Sequence, residues 1–458
     1  MATDNLGLEF SASRPETAAG FEAAMDEYMV FTGEPMHRLK DAAVADPEFA
    51  LGYCLMGCLR LFAGVSGSNP QVAGELALSR DRREAANPRE RAHIDAFETA
   101  AGGEMSKAGA MWDAILADHP HDMMAAKCAH EAYFLVGESA NLRDSVAAIL
   151  PAWDESLPYY GFLLGMGAFG YEETGEYEVA EEMGRRAVEI EPADCWAVHA
   201  VAHVLQMQGR RRDGIGWLDG TVRHWRDKMW LKGHLWWHLS IQLIEDGQID
   251  RVLQIFDDYI SDCDEDQVTR LMDCSSLLLR LELAGVEVGE RWHQVVPKWL
   301  KHMDEHAIGF TDAHLALTLA RAGEDDRLAE FFRSLNAYIE AQDNTNQGIL
   351  ARTGRDLCHG MAAFARGDYT TAADRIHPVH DDIWNIGGSN AQRQMFTLTL
   401  VKALLRSERF AEALQIVELW ATEVPAPSLW RDLAEALEGT GHADGAVAAR
   451  RHATELAN

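Results

Sequence analysis

The sequence lacks long apolar runs, a basic N-terminal start and any sustained run of lysine and arginine. Without about 20 consecutive apolar residues there is no candidate membrane span, and no signal-peptide pattern is present. The seven cysteines are odd in number and dispersed over 458 residues, which argues against a disulfide framework. We therefore expect a soluble protein of a reducing cytoplasm.

Positive charge is also scarce, because 41 lysines and arginines stand against 73 aspartates and glutamates, a formal charge of −32. Nucleic-acid backbones and anionic membrane surfaces bind basic patches, so neither is expected as a partner. The 47% of hydrophobic residues is typical of a globular protein. The length exceeds one ordinary core, which leaves several domains or an elongated repeat.

A repeat is present. A glycine turn, followed by a polar, an apolar and a small residue, recurs every 34 to 44 residues. A version without the leading glycine begins at Ser407, and a last one at Gly441. A proline that should end an outer helix recurs as Pro47, Pro120 and Pro192. The glycines of the main series are Gly103, Gly137, Gly175, Gly209, Gly247, Gly285, Gly323 and Gly367.

This spacing predicts helix pairs joined by a tight turn, with proline at the first position of the next helix. β-branched runs between turn residues are absent, so strands are not expected. The predicted fold is all-α, a tetratricopeptide-like α-solenoid in a right-handed superhelix, since one pair cannot bury its own apolar face. We expect a single domain over 1–458, with an irregular cap at 1–90 and regular repeats over 91–458. Trp217, Trp225 and Trp230 should fill the stack.

Several polar residues are predicted to share the inner face of the first helix of each pair. Counting back from the turn glycines puts them at offsets of 6, 9, 10, 12 or 13 residues, which fall on or beside one helical stripe. These residues are His199, His203, His234, His238, Asp273 and His314, flanked by Trp196, Trp236 and Trp237. The plain interpretation of each histidine is a core residue with a satisfied hydrogen bond. Six titratable groups on one stripe are harder to bury without a wet cavity or mutual partners.

The two H-x-x-x-H pairs, His199/His203 and His234/His238, have the spacing that lets two imidazoles meet one divalent metal such as Zn²⁺, Mn²⁺ or Fe²⁺. The glutamate of H-E-x-x-H is missing. A metal-free alternative is a histidine–aspartate pair acting on a bound substrate.

A second candidate is the segment IGGSNAQRQMF from Ile386 to Phe396. Its glycines interrupt the helix pattern, and Ser389 or Asn390 can cap the helix that carries Gln392 and Arg393. A helix N-terminus with an arginine in its first turn can hold a carboxylate or phosphate. Ordinary capping with an exposed arginine is the alternative.

The strings HAVAHVLQMQGR, GHLWWHLSIQLIEDGQID, MDCSSLLLRLELAGVEVGERW, FTDAHLALTLA and IGGSNAQRQMF resemble the tetratricopeptide repeat protein 38 family. The resemblance runs from Gly7 to about Lys402 and implies a helical-repeat fold, with little implied chemistry. Leu235 departs from the asparagine that commonly follows the first histidine of that string in the family. The family pattern includes His199, His203, His234, Trp237, His238, Asp273, Ser275, Arg280, Asp312, His314, Gly388, Asn390, Gln392 and Arg393.

Two functions follow from these observations. The first is a small-molecule pocket inside the superhelix, with hydrolysis as the expected reaction if it is an enzyme. His203, His238, Asp273 and His314 would then be catalytic. Substrate would be held by His199, His234, Trp237, Asn390, Gln392 and Arg393. The alternative is a non-catalytic scaffold that binds a segment of a partner protein in its groove; a homodimer is a further expectation.

Overall fold

The computed structural model describes residues 2–226, 231–263, 268–341 and 344–457. Over these residues the fold is all-α, as predicted, and of the helical-repeat, α-solenoid class. Most helices pack against the next helix along the chain. The residues fall into two compact units, which are described separately. The single domain over 1–458 and the cap over 1–90 stay predictions.

The first unit comprises Met1–Val201, Thr221–Lys232 and Asp343–Asn346. It opens with a short antiparallel pairing of β1 (Ala2–Thr3) with β2 (Glu9–Phe10), which the absence of strand patterns did not predict. The following helices are α1 Pro15–Met29, α2 Pro35–Ala45, α3 Ala50–Phe62, α4 Pro70–Asp81, α5 Pro88–Ala101, α6 Met105–Asp118, α7 Met123–Leu135, α8 Ser139–Ile149, the 3-10 turn Leu150–Ala152, α9 Tyr160–Glu173 and α10 Tyr177–Ile190.

The second unit comprises Ala202–Gly220, Gly233–Gln342 and Gln347–Asn458, so α11, α12, α13 and α19 each contribute residues to both units. Its helices are α11 Cys195–Met207, α12 Arg211–Trp225, α13 Lys232–Glu245, α14 Ile249–Ile255, α15 Val268–Leu283, α16 Arg291–Trp299, α17 Gly309–Arg321, α18 Asp325–Ala341, α19 Thr345–Ile349, α20 Arg355–Ala365, α21 Tyr369–Ile376, α22 Asn390–Arg406, α23 Phe410–Glu423, α24 Pro427–Gly439 and α25 Ala443–Ala457. Shorter 3-10 or π segments are Phe256–Ile260, Leu300–His302, Leu350–Gly354 and His377–Ile386.

The predicted turns lie where the glycine series places them. All eight glycines from Gly103 to Gly367, and Gly441, have φ between 66° and 86°, a region that side chains with a Cβ disfavour. In the repeat without a leading glycine, Glu408 takes this conformation with φ of 60°. The periodicity therefore identified turns between helices, not only a composition bias.

The proline prediction is half correct. The three prolines lie two residues beyond a helix end, as expected of residues that stop a helix: Pro47 after α2, Pro120 after α6 and Pro192 after α10. The next helices begin three residues later, so these prolines are not at a first helical position. That position is taken by proline in other helices, including α5 and α24.

The first helices of the repeat pairs, such as α13, α15 and α17, are buried on nearly all sides, which explains their apolar composition. Most of the side chains of α13, α15 and α17 are buried, including polar ones. Trp225 is buried and Trp217 half-buried, while Trp230 lies outside the described residues. Across the part of the chain that the structure describes, no helix combines the length and apolarity that crossing a bilayer requires.

Candidate functional site

Three predicted histidines meet in the second unit. His234 and His238 lie one turn apart on α13, and their Nε2 atoms are 3.1 Å apart. The ring of His203, from α11, lies beside that of His238 with centroids 4.5 Å apart. One ring nitrogen from each of the three lies within 4.8 Å of the other two. We call His203, His234 and His238 the histidine cluster.

Two side-chain oxygen atoms orient the rings of this cluster through their Nδ1 atoms. Asp273, on α15, brings Oδ1 within 2.8 Å of Nδ1 of His234. Gln206, one turn after His203 on α11, brings Oε1 within 3.0 Å of Nδ1 of His238. His203, His238 and Asp273 are buried, whereas the side chain of His234 keeps 13% of its exposure. The predicted proximity of these inner-face residues is therefore observed for His203, His234, His238 and Asp273.

Trp237 connects the cluster to a buried arginine. Its ring stacks on His234 at a centroid distance of 5.1 Å and an interplanar angle of 11°. The guanidinium carbon of Arg280, on α15, lies 5.5 Å from the centroid of the Trp237 ring. A cation over an indole face is favourable, so Trp237 partly stabilises the buried charge.

Arg280 borders a cavity of about 560 Å³, counting the part of it that is open to solvent. Polar side chains on its wall include Gln206, Gln242, Gln394 and Glu245. The rest of the wall is largely apolar and includes Ile241, Leu398, Trp420, Val424, Pro425, Pro427 and Leu429. We call this space the arginine cavity.

Several buried polar atoms on this wall have no hydrogen-bond partner among the described residues. They are Nε of Arg280, both amide atoms of Gln242, and Nε2 of Gln206. Arg280 makes one hydrogen bond, from Nη2 to the main-chain oxygen of Ala391 at 3.1 Å. Burial lowers the pKa of the Arg280 guanidinium to about 10, which still leaves it charged at neutral pH.

His314 makes its contacts elsewhere in the second unit. Its Nδ1 lies 2.8 Å from the main-chain oxygen of Phe310, and its ring packs against Phe310 and Phe396. Burial lowers the pKa of His314 to about 4, so the ring is neutral at physiological pH. These contacts are those of a core histidine, and its catalytic role stays a prediction.

The predicted anion-binding segment bonds within itself. Ser389 caps α22, accepting from the main-chain nitrogen of Gln392, while Oε1 of Gln392 accepts from that of Ser389 at 2.9 Å. Arg393 donates to the carbonyl of Gly388 and, at 2.6 Å, to Oδ1 of Asn390. The cap matches the capping alternative, but Arg393 is buried and not exposed as that alternative expected. Substrate binding by Asn390, Gln392 and Arg393 stays a prediction.

His199 belongs to the first unit. Its ring stacks on Phe169 with centroids 5.3 Å apart and lies 4.9 Å from the ring of Trp196. Trp196 in turn donates from Nε1 to Nε2 of His130 at 3.0 Å. The aromatic packing places His199 in the core of that unit, and its role toward a metal or substrate stays a prediction.

Sequence reasoning passed over Gln206, Gln242 and the chemical importance of Arg280. Gln206 lies three residues before Gly209, which puts it on the same helical stripe as His203, so the counting method could have found it. Arg280 belongs to the family pattern, but that pattern implies no binding or catalytic role for it. The cavity depends on the contact of α13 and α15 with the distant segment from α22 to α24, which no local pattern encodes.

No protein-family model matches the chain. Similar solved structures include the human IFIT1 dimer with PPP-AAAA, at 13% identity over 98% of this chain and 96% of that one, with a TM-score of 0.40. Another is a Rap protein complexed with competence and sporulation factor, at 10% identity, 80% and 98% coverage, and a TM-score of 0.35. The TPR domain of P58(IPK) is 12% identical, with 81% and 93% coverage and a TM-score of 0.22. Similarities this weak say nothing about a ligand of this chain.

Proposed function

We propose that this chain is a helical-repeat binding protein that holds a carboxylate of a partner protein segment in the arginine cavity. The observation that carries this proposal is the buried guanidinium of Arg280, which forms no ion pair among the described residues. An unpaired buried charge is costly, and a bound carboxylate would supply the missing acceptor. Arginine suits this task because its planar fork matches a carboxylate.

The neighbouring amides support a peptide as the source of the carboxylate. Gln242 is 2% exposed and both its amide atoms lack partners among the described residues. With Gln206 it offers donors and an acceptor of the kind that a peptide backbone satisfies. The apolar wall formed by Trp420, Pro425 and Pro427 could cover the adjoining side chain.

Glu245 limits where an anion can bind. Its carboxylate lines the same cavity, but Ser428 engages it, donating from Oγ at 2.5 Å and from the main-chain nitrogen at 3.2 Å. Glu245 also acts on Arg280 at longer range and raises its pKa, against the effect of burial. The carboxylate of a ligand is therefore expected on the Arg280 side, away from Glu245.

A peptide selection tests the proposal. The full-length protein is offered a random peptide library with free C-termini, and selected peptides are remade with amidated ends. We expect amidation to weaken binding at least about tenfold, and Arg280→Met to remove that preference. Arg327→Met, which removes an exposed arginine paired with Glu330 in the same unit, is the matched control.

Three results are informative. Equal preference for free C-termini in wild type and Arg280→Met would contradict the proposal. Selective binding of small carboxylates such as citrate, with no peptide selected, would favour the small-molecule function instead. Unfolding midpoints of both variants show whether Arg280 has a structural role, because removing an unpaired buried charge should not destabilise the protein.

Hydrolysis is a second candidate, favoured by the His234–Asp273 contact. A carboxylate on Nδ1 is the arrangement that orients a histidine as a general base. Nε2 of His234, however, faces His238 rather than an open substrate site. Turnover of nitrophenyl esters or phosphates that Asp273→Asn reduces at least about a hundredfold would support this candidate; no turnover with or without Zn²⁺ or Mn²⁺ would oppose it.

Membership of the tetratricopeptide repeat protein 38 family is part of the same proposal. The helical-repeat fold is compatible with it, and so is the proximity of four residues of the family pattern, His203, His234, His238 and Asp273. A sequence alignment of this chain with family members in which the histidine cluster and Arg280 are both conserved would support this membership.

A further inference from the structure

We infer that His203, His234 and His238 bind one divalent transition-metal ion, with Zn²⁺ as the preferred ion. This inference is independent of the arginine cavity and of any hydrolytic activity. It rests on the direction of the hydrogen bonds around the histidine cluster, on the third ring beside it, and on the acceptors behind it.

The hydrogen bonds assign the protons of two rings. The carboxylate of Asp273 accepts a hydrogen bond from Nδ1 of His234 at 2.8 Å. Oε1 of Gln206 can also only accept, so Nδ1 of His238 must donate at 3.0 Å. A neutral imidazole carries one proton, so Nε2 is the nitrogen of each ring that can act as a metal ligand.

These two nitrogen atoms lie close together. The Nε2 atoms of His234 and His238 are 3.1 Å apart, which is close enough for both to bind the same ion. A shared proton or a metal ion can join two nitrogen atoms at this separation. Two nitrogen ligands at about 2.0–2.1 Å from a tetrahedral Zn²⁺ are about 3.3 Å apart, close to the observed separation.

The third imidazole favours the metal over the proton. A proton shared by two nitrogens gains nothing from a third ring, whereas three imidazoles form a familiar zinc ligand set. A nitrogen of His203 lies within 4.8 Å of those of the other two rings. Imidazole ligands suit Zn²⁺, Cu²⁺, Ni²⁺ and Fe²⁺ better than Mg²⁺ or Ca²⁺.

The surroundings match those of known metal-binding histidines. Such histidines usually donate their other ring nitrogen to a carboxylate or carbonyl oxygen, which orients the ring and increases its basicity. Asp273 and Gln206 provide these acceptors for His234 and His238. The partial exposure of His234 offers a side from which the ion and a further ligand could approach.

The test is a titration of untagged, chelator-treated, full-length protein with ZnCl₂ and with CoCl₂. Calorimetry should give one tight site per chain, and bound Co²⁺ should show the visible absorption of a nitrogen-ligated, low-coordinate ion. We expect His238→Ala and His234→Asn to abolish the site. Asp273→Asn should keep one ion per chain with affinity about 10- to 100-fold weaker.

His293→Gln is the matched control, since His293 is an exposed histidine of the same unit. Circular dichroism and the unfolding midpoint of metal-free protein separate loss of the site from loss of the fold. His234→Asn is the safer variant, because His234 is the least buried of the three. A wild-type protein that binds neither ion, or a folded His234→Asn that binds as tightly as wild type, would overturn the inference.

Discussion

Several buried charges among the described residues have an ion-pair partner, whereas Arg280 has none among them. In the first unit Lys127 lies 2.6 Å from Glu131, and Asp122 lies 2.6 Å from Arg89 and 2.9 Å from His93. Burial alone would raise the pKa of Asp122, yet His93 and Arg89 together lower it well below its usual range. Arg280, by contrast, forms no ion pair among the described residues, and its Nε has no hydrogen-bond partner among them.

Asp194 allows a prediction about pH. It lies before α11, its Oδ1 accepts from the main-chain nitrogen of Ala197 at 3.0 Å, and burial raises its pKa to about 7. The unfolded carboxyl releases its proton near pH 4, about three units lower. The folded state therefore binds the extra proton in this interval, and stability falls as pH rises from about 4 through 7.

Asp194→Asn should remove this loss, because asparagine also caps a helix but carries no charge. We expect the variant to gain stability over wild type at pH 8 and to gain much less at pH 5. Urea unfolding at both pH values measures the difference, with the exposed Asp325→Asn as control. An equal effect of Asp194→Asn at both pH values would show that this carboxyl does not titrate between them.

At the scale of the element, the turn is the feature that repeats most faithfully. Its left-handed residue is glycine in nearly every repeat and glutamate at position 408, where φ is 60°. Glu408 is exposed, so no packing compensates for the conformation. A side chain in this region costs about 1–2 kcal/mol relative to a right-handed conformation.

Glu408→Gly should therefore stabilise the protein by about 0.5–1 kcal/mol, after the greater freedom of glycine in the unfolded chain is counted. The reverse change in the next repeat, Gly441→Ala, should destabilise by about 1 kcal/mol. No atom lies within 4 Å of the added Cβ, so only the backbone is affected. Urea unfolding midpoints measure both, and shifts of the same sign would contradict the argument.

The sequence predicted those elements that depend on one residue type, such as the glycine turns. It did not predict those that depend on contacts between distant segments. Glycine spacing located the turns because a positive φ is a local requirement. The pairing of β1 with β2 was missed because two-residue strands leave no alternation to detect. The sequence offered two candidates for the N-cap of α22, Ser389 and Asn390, and the hydrogen bonds of the structure identify Ser389 as the cap.

At the scale of the molecule, the charge of −32 lies largely on exposed helix surfaces. Glu178 and Glu182 on α10, and Asp325, Asp326 and Glu330 on α18, are examples. The inner helices carry histidine, tryptophan and few acids, as their composition indicated. Concentrated surface charge of one sign keeps a protein soluble but opposes its compact state.

Added salt should therefore raise the midpoint of thermal unfolding by a few degrees. Screening shortens the range of repulsion from about 30 Å at ~0.01 M to about 3 Å at ~1 M ionic strength. Calorimetry between these limits in NaCl measures the effect, and KCl should reproduce it because screening depends on ionic strength alone. A lower midpoint at high salt would mean that surface ion pairs outweigh the net repulsion.

The sequence by itself determined the helical-repeat class and the turn positions, and it predicted that His203, His234, His238 and Asp273 share one helical stripe. These follow from local rules, namely positive φ at glycine and the 3.6-residue period of a helix. The tertiary structure alone decided that His314 and Arg393 bond to residues near them in the chain. It alone also placed Gln206 and Gln242 on the wall of the cavity that Arg280 borders, and Arg280 has no ion pair among the described residues. The reason is physical: whether a buried polar group is satisfied depends on atoms contributed by helices far apart in the chain.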